Sequence, residues 1–226
     1  MKNKLRIYDF FIIFLTGVAL TSATLVLASR LGVDVAGGGL AAIFLNLWVQ
    51  DLFFLALAAL FLHLRKERWE TLGLVAPQGK KPYQYAVMWG IILYFVMAAA
   101  VVLLNNIWPG GLDAQNVEVY LRKDDLMAKK LLVIATMGVF APFVEEVLFH
   151  GYLFRALLDH LQPWAAMAVT SLIFGLVHFD MQRAIPLALG GFILNIIAWR
   201  RGSVLASTVT HGTWNTIMMC AYYFAS

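Results

Sequence analysis

The chain has 226 residues, of which 62% are apolar and only 13% are charged, and its net charge is +4. Soluble domains contain about 25% charged residues, so this composition excludes an ordinary soluble domain and indicates a membrane protein. The single cysteine, Cys220, excludes an internal disulfide and a zinc site built from several cysteines. The basic residues lie between apolar runs, which is typical of membrane topology rather than of a nucleic-acid surface.

Seven apolar runs account for nearly the whole chain, and about 20 residues are enough for a helix to cross the hydrocarbon core. They predict an all-α polytopic membrane protein, a bundle of about seven transmembrane helices in a single domain (1–226) with its core bundle at about 131–224. The predicted spans are 7–28, 40–64, 84–107, 131–158, 163–178, 184–199 and 203–224. The first run is too long for the apolar part of a signal peptide, so we expect a retained span.

Features between and within the runs refine this picture. Residues 112–130 mix acidic and basic side chains with Leu and Met, and they predict a further helix at the membrane interface. Pro142 is expected to distort the fourth helix, and Pro186 is expected in the first turn of the sixth. A cytoplasmic N-terminus places eleven of the 17 basic residues inside, so we expect that orientation, in the cell membrane if the organism is prokaryotic.

Two adjacent carboxylates, Glu145 and Glu146, lie in the middle of the fourth run. A charged side chain in hydrocarbon costs roughly 2.5–3.5 kcal/mol on insertion scales, so the pair needs a partner, a proton or water. Later spans offer His178, and also His211 and Asn215, whose i, i+4 spacing places them on one helical face. Counted from the basic ends of their spans, Glu145 and His211 lie about 15 Å deep, and His178 lies about 22 Å from the start of its own span.

These residue types suit the hydrolysis of an amide bond. A carboxylate and an imidazole that share one water can remove its proton and make a nucleophile. A second imidazole and an amide are suitable donors to the developing oxyanion. The chain has no HExxH or GxSxG motif, so activation of water by glutamate and histidine is the direct interpretation. A zinc ion held by Glu145, His178 and His211 is the alternative.

The same residues carry a resemblance to a known family. Three motifs follow one another on the late spans, and they read EEVLFH from Glu145 to His150, FGLVH from Phe174 to His178, and HGTWN from His211 to Asn215. In this order they resemble the EExxxR, FxxxH and HxxxN motifs of the CAAX protease and bacteriocin-processing family of intramembrane proteases, which includes the Ras-converting CAAX endopeptidase. The resemblance covers roughly 131–224, and the first three spans match only in being hydrophobic.

The resemblance implies an intramembrane endopeptidase that needs no cofactor. Its expected partners are membrane lipids and a membrane-associated or prenylated CAAX-type peptide or protein, with no nucleic acid. It implies that Glu145 and His178 activate the water and that His211 and Asn215 stabilise the oxyanion. It also implies that Glu146 bonds the basic side chain four residues later and so orients its neighbour.

His150 stands where the family has an arginine. Arginine stays charged at any working pH and offers a bidentate fork to a carboxylate, whereas histidine does neither reliably. Glu146 and His150 keep the i, i+4 geometry, and we expect them to act as the orienting pair. The departure leaves open a second hypothesis, a non-proteolytic membrane immunity or peptide-binding protein of the same family. A transporter with a proton relay through Glu145, Glu146 and Asp51 is a third, disfavoured because no inverted halves are detectable.

Overall fold

The computed structural model describes residues 4–36, 40–108 and 127–224, and the regular secondary structure in these ranges is helical throughout. Seven long helices follow one another there: α1 (Ile7–Arg30), α2 (Leu40–Arg65), α3 (Pro82–Ile107), α4 (Met127–Leu157), α5 (Pro163–Leu176), α6 (Met181–Arg201) and α7 (Val204–Phe224). The predicted all-α class is therefore confirmed. The sequence predicts an interfacial helix within 112–130, and positions 112–126 of it lie outside the described residues. Positions 127–130 form the first described turn of α4.

Five of these helices are long and apolar enough to cross a membrane. They are α1, the Phe44–Arg65 part of α2, α3, α4, and the Arg183–Arg201 part of α6. Helix α5 is apolar but has only 14 residues, and α7 has 21 residues with polar side chains along its length. The ends of the seven helices agree with the predicted spans to within about one helical turn. The chain is thus an integral, multi-pass membrane protein.

Helix α6 begins earlier than the sequence pattern predicts because Asp180 caps it. The Asp180 Oδ1 atom accepts a hydrogen bond from the backbone N–H of Arg183 at 3.0 Å, which is the usual contact of an N-cap aspartate. The Arg183 Nη1 atom also donates to Asp180 Oδ2 at 2.6 Å. Pro186 consequently lies inside the helix, and the prediction that it occupies the first turn is wrong.

Helix α4, which carries the two glutamates, changes its winding on both sides of Pro142. Thr136–Phe140 and Glu146–Leu153 form wider π-helical turns, in which backbone N–H groups bond to carbonyls five residues back. In this register the carbonyl of Met137 would pair with residue 142, but proline has no N–H to donate. The distortion expected at Pro142 therefore leaves the Met137 carbonyl open to a partner from another helix.

Helix α7 supplies that partner and packs closely against α4. The Asn215 Nδ2 atom donates to the Met137 carbonyl at 3.0 Å. One turn earlier, Gly212 lies so close to the carbonyl of Gly138 that a Cβ atom at position 212 would collide with it. Small residues allow such a backbone contact between membrane helices. The two helices that carry most of the predicted site are thus joined by main-chain atoms.

A buried ion pair ties the first two helices to α4. Asp9 on α1 is wholly buried, and Arg65 at the end of α2 holds both of its carboxylate oxygens, with Nε–Oδ2 at 2.7 Å and Nη2–Oδ1 at 2.6 Å. The Tyr152 hydroxyl on α4 donates to Asp9 Oδ2 at 3.1 Å. Bidentate pairs of this kind are among the strongest polar contacts in proteins. This cluster therefore fixes α1 and α2 against the helix that carries the glutamates.

The segment between α2 and α3 covers one end of the bundle. Leu72, in a short 3-10 turn of this segment, is completely buried. The carbonyl of Gly73 accepts a hydrogen bond from the backbone N–H of Val204, at the start of α7, at 2.9 Å. The guanidinium of Arg155, from the end of α4, packs directly on Gly73. The Arg155 side chain thus points into this segment.

We expect Asp9→Ala to destabilise the protein by about 2–3 kcal/mol, because Arg65 and the Tyr152 hydroxyl lose the carboxylate that they contact. Thermal unfolding of the purified protein in detergent would show this as a lower Tm. The matched control is Glu70→Ala, which breaks the exposed Arg68–Glu70 pair of 2.9 Å and should change the Tm little. Equal losses of Tm in the two variants would contradict the structural role given to Asp9.

Candidate active site

Glu146 is wholly buried in the bundle and contacts two imidazoles. Its Oε1 atom lies 3.1 Å from Nδ1 of His211 on α7 and 3.7 Å from Nε2 of His150, one turn along α4. The first separation is a hydrogen-bond length, whereas the second is too long for one. Glu146 therefore holds His211 more closely than it holds its expected i, i+4 partner.

The other ring nitrogen of His211 faces Glu145. The His211 Nε2 atom lies 3.7 Å from Glu145 Oε2, which exceeds a direct hydrogen bond. A water molecule about 2.8 Å from each atom fits across this separation. The Glu145 side chain is 29% exposed and the His211 side chain is 3% exposed. Glu146, His211 and Glu145 therefore form a row of carboxylate, imidazole and carboxylate. The row is buried at Glu146 and partly exposed at Glu145.

An ionised Glu146 would determine which nitrogen of a neutral His211 carries the proton. An ionised carboxylate can only accept a hydrogen bond, so Nδ1 would donate and Nε2 would present a lone pair towards Glu145. Donation from Nε2 requires a ring that is protonated on both nitrogens. Glu145 and Glu146, which flank the ring on its two sides, are the groups that could balance such a positive charge.

His178 lies just beyond the end of α5, and its side chain is exposed. Its Nδ1 atom is 2.7 Å from the carbonyl of Phe174. Because a carbonyl can only accept, Nδ1 donates and Nε2 of the neutral ring carries a lone pair. The buried Phe174 ring lies 5.0 Å from His178, 6.0 Å from His211 and 5.5 Å from His150, measured between ring centroids. The three histidines are thus arranged around the Phe174 ring, which packs against each of them.

Two neighbouring residues of α7 complete the surroundings of His211. The Trp214 ring stacks on the imidazole, with centroids 5.3 Å apart and an interplanar angle of 25°. The amide nitrogen of Asn215 gives one N–H to the Met137 carbonyl at 3.0 Å and has a second N–H to offer. Asn215 thereby acts as an interhelical contact, which is the structural role expected of a lone asparagine in a membrane bundle.

The structure brings the predicted residues together to different degrees. Direct contacts join four of them: Glu145, Glu146, His150 and His211. His178 reaches this group across the Phe174 ring, and Asn215 follows one turn after His211 on α7. Within the described ranges, no three His, Cys, Asp or Glu side chains are grouped so that they could hold a metal ion.

Sequence analysis grouped Asp51 with Glu145 and Glu146 only in the proton-relay hypothesis, and it gave Asp51 no place in the candidate active site. Asp51 lies in the middle of α2, is 9% exposed, and is close enough to Glu145 for their carboxylates to interact electrostatically. Its Oδ2 atom has no hydrogen-bond partner in the described part of the chain. The position of an ionisable residue in the middle of a span was the available signal. The mid-span position of Asp51 therefore marks it as unusual, but the sequence does not predict which residue it faces.

Comparison with known proteins agrees with the three motifs. Residues 127–217 match the family described as "Type II CAAX prenyl endopeptidase Rce1-like", and this stretch contains all six predicted site residues. The family resemblance is confirmed. The chain is also 25% identical over 179 residues to the "Putative membrane peptidase YdiL" of Bacillus subtilis (strain 168), a match that covers 77% of this chain and 70% of that protein. No solved structure matches the chain. The two matches support an intramembrane peptidase.

We expect diethyl pyrocarbonate to modify His178 in the folded protein at least tenfold faster than His150 or His211, because His178 is exposed and the other two side chains are enclosed. Mass spectrometry of the digested protein would give the rate at each histidine. His160, which is exposed just after α4, provides the reference rate, and unfolding the protein should bring all four rates together. A His178 as slow as His211 would contradict this arrangement.

Proposed function

We propose that the protein is an endopeptidase that hydrolyses a peptide bond within the membrane, using a water activated by Glu145 and His178. One observation carries this proposal: Glu145 lies 3.7 Å from His211, which Glu146 holds by its other nitrogen at 3.1 Å. Buried ionisable groups contribute little to stability because desolvation offsets their attraction. Inside a membrane they mark functional sites by default. The family match and the similarity to a membrane peptidase support the same reaction class.

In the proposed reaction, Glu145 accepts one proton from the water, and Nε2 of His178 accepts a hydrogen bond from the other O–H, while the water oxygen attacks the carbonyl carbon of the substrate. The π electrons of the carbonyl move to its oxygen, which becomes the oxyanion of a tetrahedral intermediate. When this intermediate collapses, the C–N bond breaks and the nitrogen takes up the proton that the site holds. The acyl product keeps the hydroxyl, the amine product keeps the proton, and the site returns to its starting state.

We propose His211 and Asn215 as the donors to the oxyanion. The second N–H of the Asn215 amide can serve directly. His211 can donate from Nε2 only as an imidazolium, because its Nδ1 proton is given to Glu146. The role of Glu146 in this proposal is therefore to position His211 and to balance its charge, with His150 as the neighbour that completes the pair.

The proposed substrate is a membrane-associated peptide or a lipidated protein of the prenylated CAAX type. This follows from the description of the matching family, and the relative is named only as a membrane peptidase. We place the chemistry in the core bundle, about 131–224, of one transmembrane domain that spans 1–226. We place the N-terminus in the cytoplasm, on the count of basic residues. The mechanism requires no cofactor.

One observation favours a second function, a non-proteolytic membrane immunity or peptide-binding protein. The His150 side chain is completely buried, and its Nε2 atom lies 3.7 Å from Glu146 Oε1, which is too far for a hydrogen bond. The family has an arginine here, which would offer a carboxylate a fixed positive charge. A weakened Glu146–His150 pair is what we would expect of a protein that still binds a peptide but has lost its proteolytic activity.

We expect Glu145→Gln and His178→Ala each to lower the kcat of the purified protein on a prenylated CAAX peptide by about 100-fold or more, since each removes a group that activates the water. The KM should change much less. The control is Glu70→Gln, the same chemical change at an exposed position. Undiminished cleavage in both variants would rule out this mechanism. A wild-type protein that binds the peptide without cleaving it, and still binds it after Glu145→Gln, would indicate the second function.

We expect His150→Arg to cleave the peptide at least as fast as the wild type, because arginine supplies a permanent charge one turn from Glu146. Initial rates at saturating peptide, normalised to the amount of folded protein, would measure the change. His160→Arg makes the same substitution outside the cluster and should leave the rate unchanged. Activity lost in His150→Arg alone, at normal expression and Tm, would count against the orienting role of the Glu146–His150 pair.

A further inference from the structure

A groove of about 480 Å³ lies between α3 and α6. Its lining contains aromatic, branched aliphatic and basic side chains, among them Tyr85, Trp89, Ile193, Ile197, Arg200 and Arg201. No residue of the predicted site lines it. The groove therefore requires an explanation of its own, independent of the peptidase proposal.

The basic end of the groove carries two arginines. Arg200 is exposed and Arg201 is half-buried. The Arg201 guanidinium carbon lies 5.4 Å from the centroid of the Tyr85 ring, and its Nη1 atom donates to the carbonyl of Gln78 at 3.3 Å. In the ranges that the structure describes, no ion pair links either arginine to a carboxylate. Two positive charges thus stand at the mouth of the groove without an acidic counterpart there.

The remainder of the groove is apolar. Ile193 and Ile197 lie one turn apart on α6, and both line it. Across from them on α3, Tyr85 and Trp89 are 46% and 41% exposed. Tyrosine and tryptophan are enriched where a membrane protein passes from lipid headgroups to hydrocarbon. The groove therefore combines cations at headgroup level with an apolar wall that continues into the hydrocarbon.

We propose that this groove binds one anionic phospholipid, with its phosphate at Arg200 and Arg201 and an acyl chain along Ile193 and Ile197. Guanidinium groups match the geometry of a phosphate, and basic pockets between membrane helices bind anionic headgroups. A zwitterionic lipid has the same phosphate, but the two arginines would repel its positively charged ammonium group. The preference should therefore be for lipids with a net negative charge.

Native mass spectrometry of the full chain, with equal amounts of phosphatidylglycerol and phosphatidylcholine, tests this proposal. The wild type should retain one phosphatidylglycerol, and Arg200→Gln/Arg201→Gln should weaken this binding about 30-fold. The matched control, Lys66→Gln/Arg68→Gln, removes the same charge from the exposed segment after α2 and should leave binding unchanged. Excess inorganic phosphate should not displace the lipid. The measurement uses no substrate, so it does not depend on peptidase activity.

Equal retention of the two lipids by the wild type, or equal loss in the two double variants, would overturn the proposal. Displacement of the lipid by inorganic phosphate would assign the groove to a soluble phosphate and would overturn it as well. Ile193→Trp provides a test that keeps both arginines, because it fills the apolar wall. This variant should lose the phosphatidylglycerol at an unchanged helix content, and full retention of the lipid would contradict the proposed acyl-chain position.

Discussion

The hydrogen bond between the buried Glu146 carboxylate and the His211 imidazole is the interaction on which the candidate site depends. A carboxylate left alone in such an interior would carry a desolvation cost of several kcal/mol. The bond satisfies one carboxylate oxygen, orients the ring and turns Nε2 towards Glu145. It also joins α4 to α7, whose backbones approach each other closely at Gly138 and Gly212. The placement of the partly exposed Glu145 therefore follows from a contact made by its neighbour.

The rest of the molecule keeps that arrangement in place. Phe174 contributes no polar atom from its side chain, yet its ring contacts the three histidines of the late helices and so sets their spacing. The Asp9–Arg65 pair acts at a greater distance, because it fixes the first two helices against α4 through Tyr152. Packing and paired charges thus position the cluster, while the cluster itself contributes little to stability.

The sequence predicts the helices well because each is an apolar run that ends at charged residues, glycine or proline. It fails at α6, where a single capping side chain, Asp180, adds a turn that hydrophobicity does not reveal. The candidate residues could be named because the motifs specify residue types and order. Their pairing could not, since i, i+4 spacing favours Glu146 with His150, whereas tertiary packing brings His211 closer. The approach of Asp51 to Glu145 likewise depends on how α2 packs against α4.

The meeting of Gly138 and Gly212 has a consequence for how this molecule would work. Where side chains separate two helices, rotamer changes can widen or narrow the gap, but here main-chain atoms touch and no rotamer is available to yield. The backbones of α4 and α7 are accordingly held at one separation from the time the chain folds, and their ordering entropy is lost at that stage. For the proposed peptidase, turnover would then require no hinge closure between α4 and α7, and only side chains would adjust to a substrate.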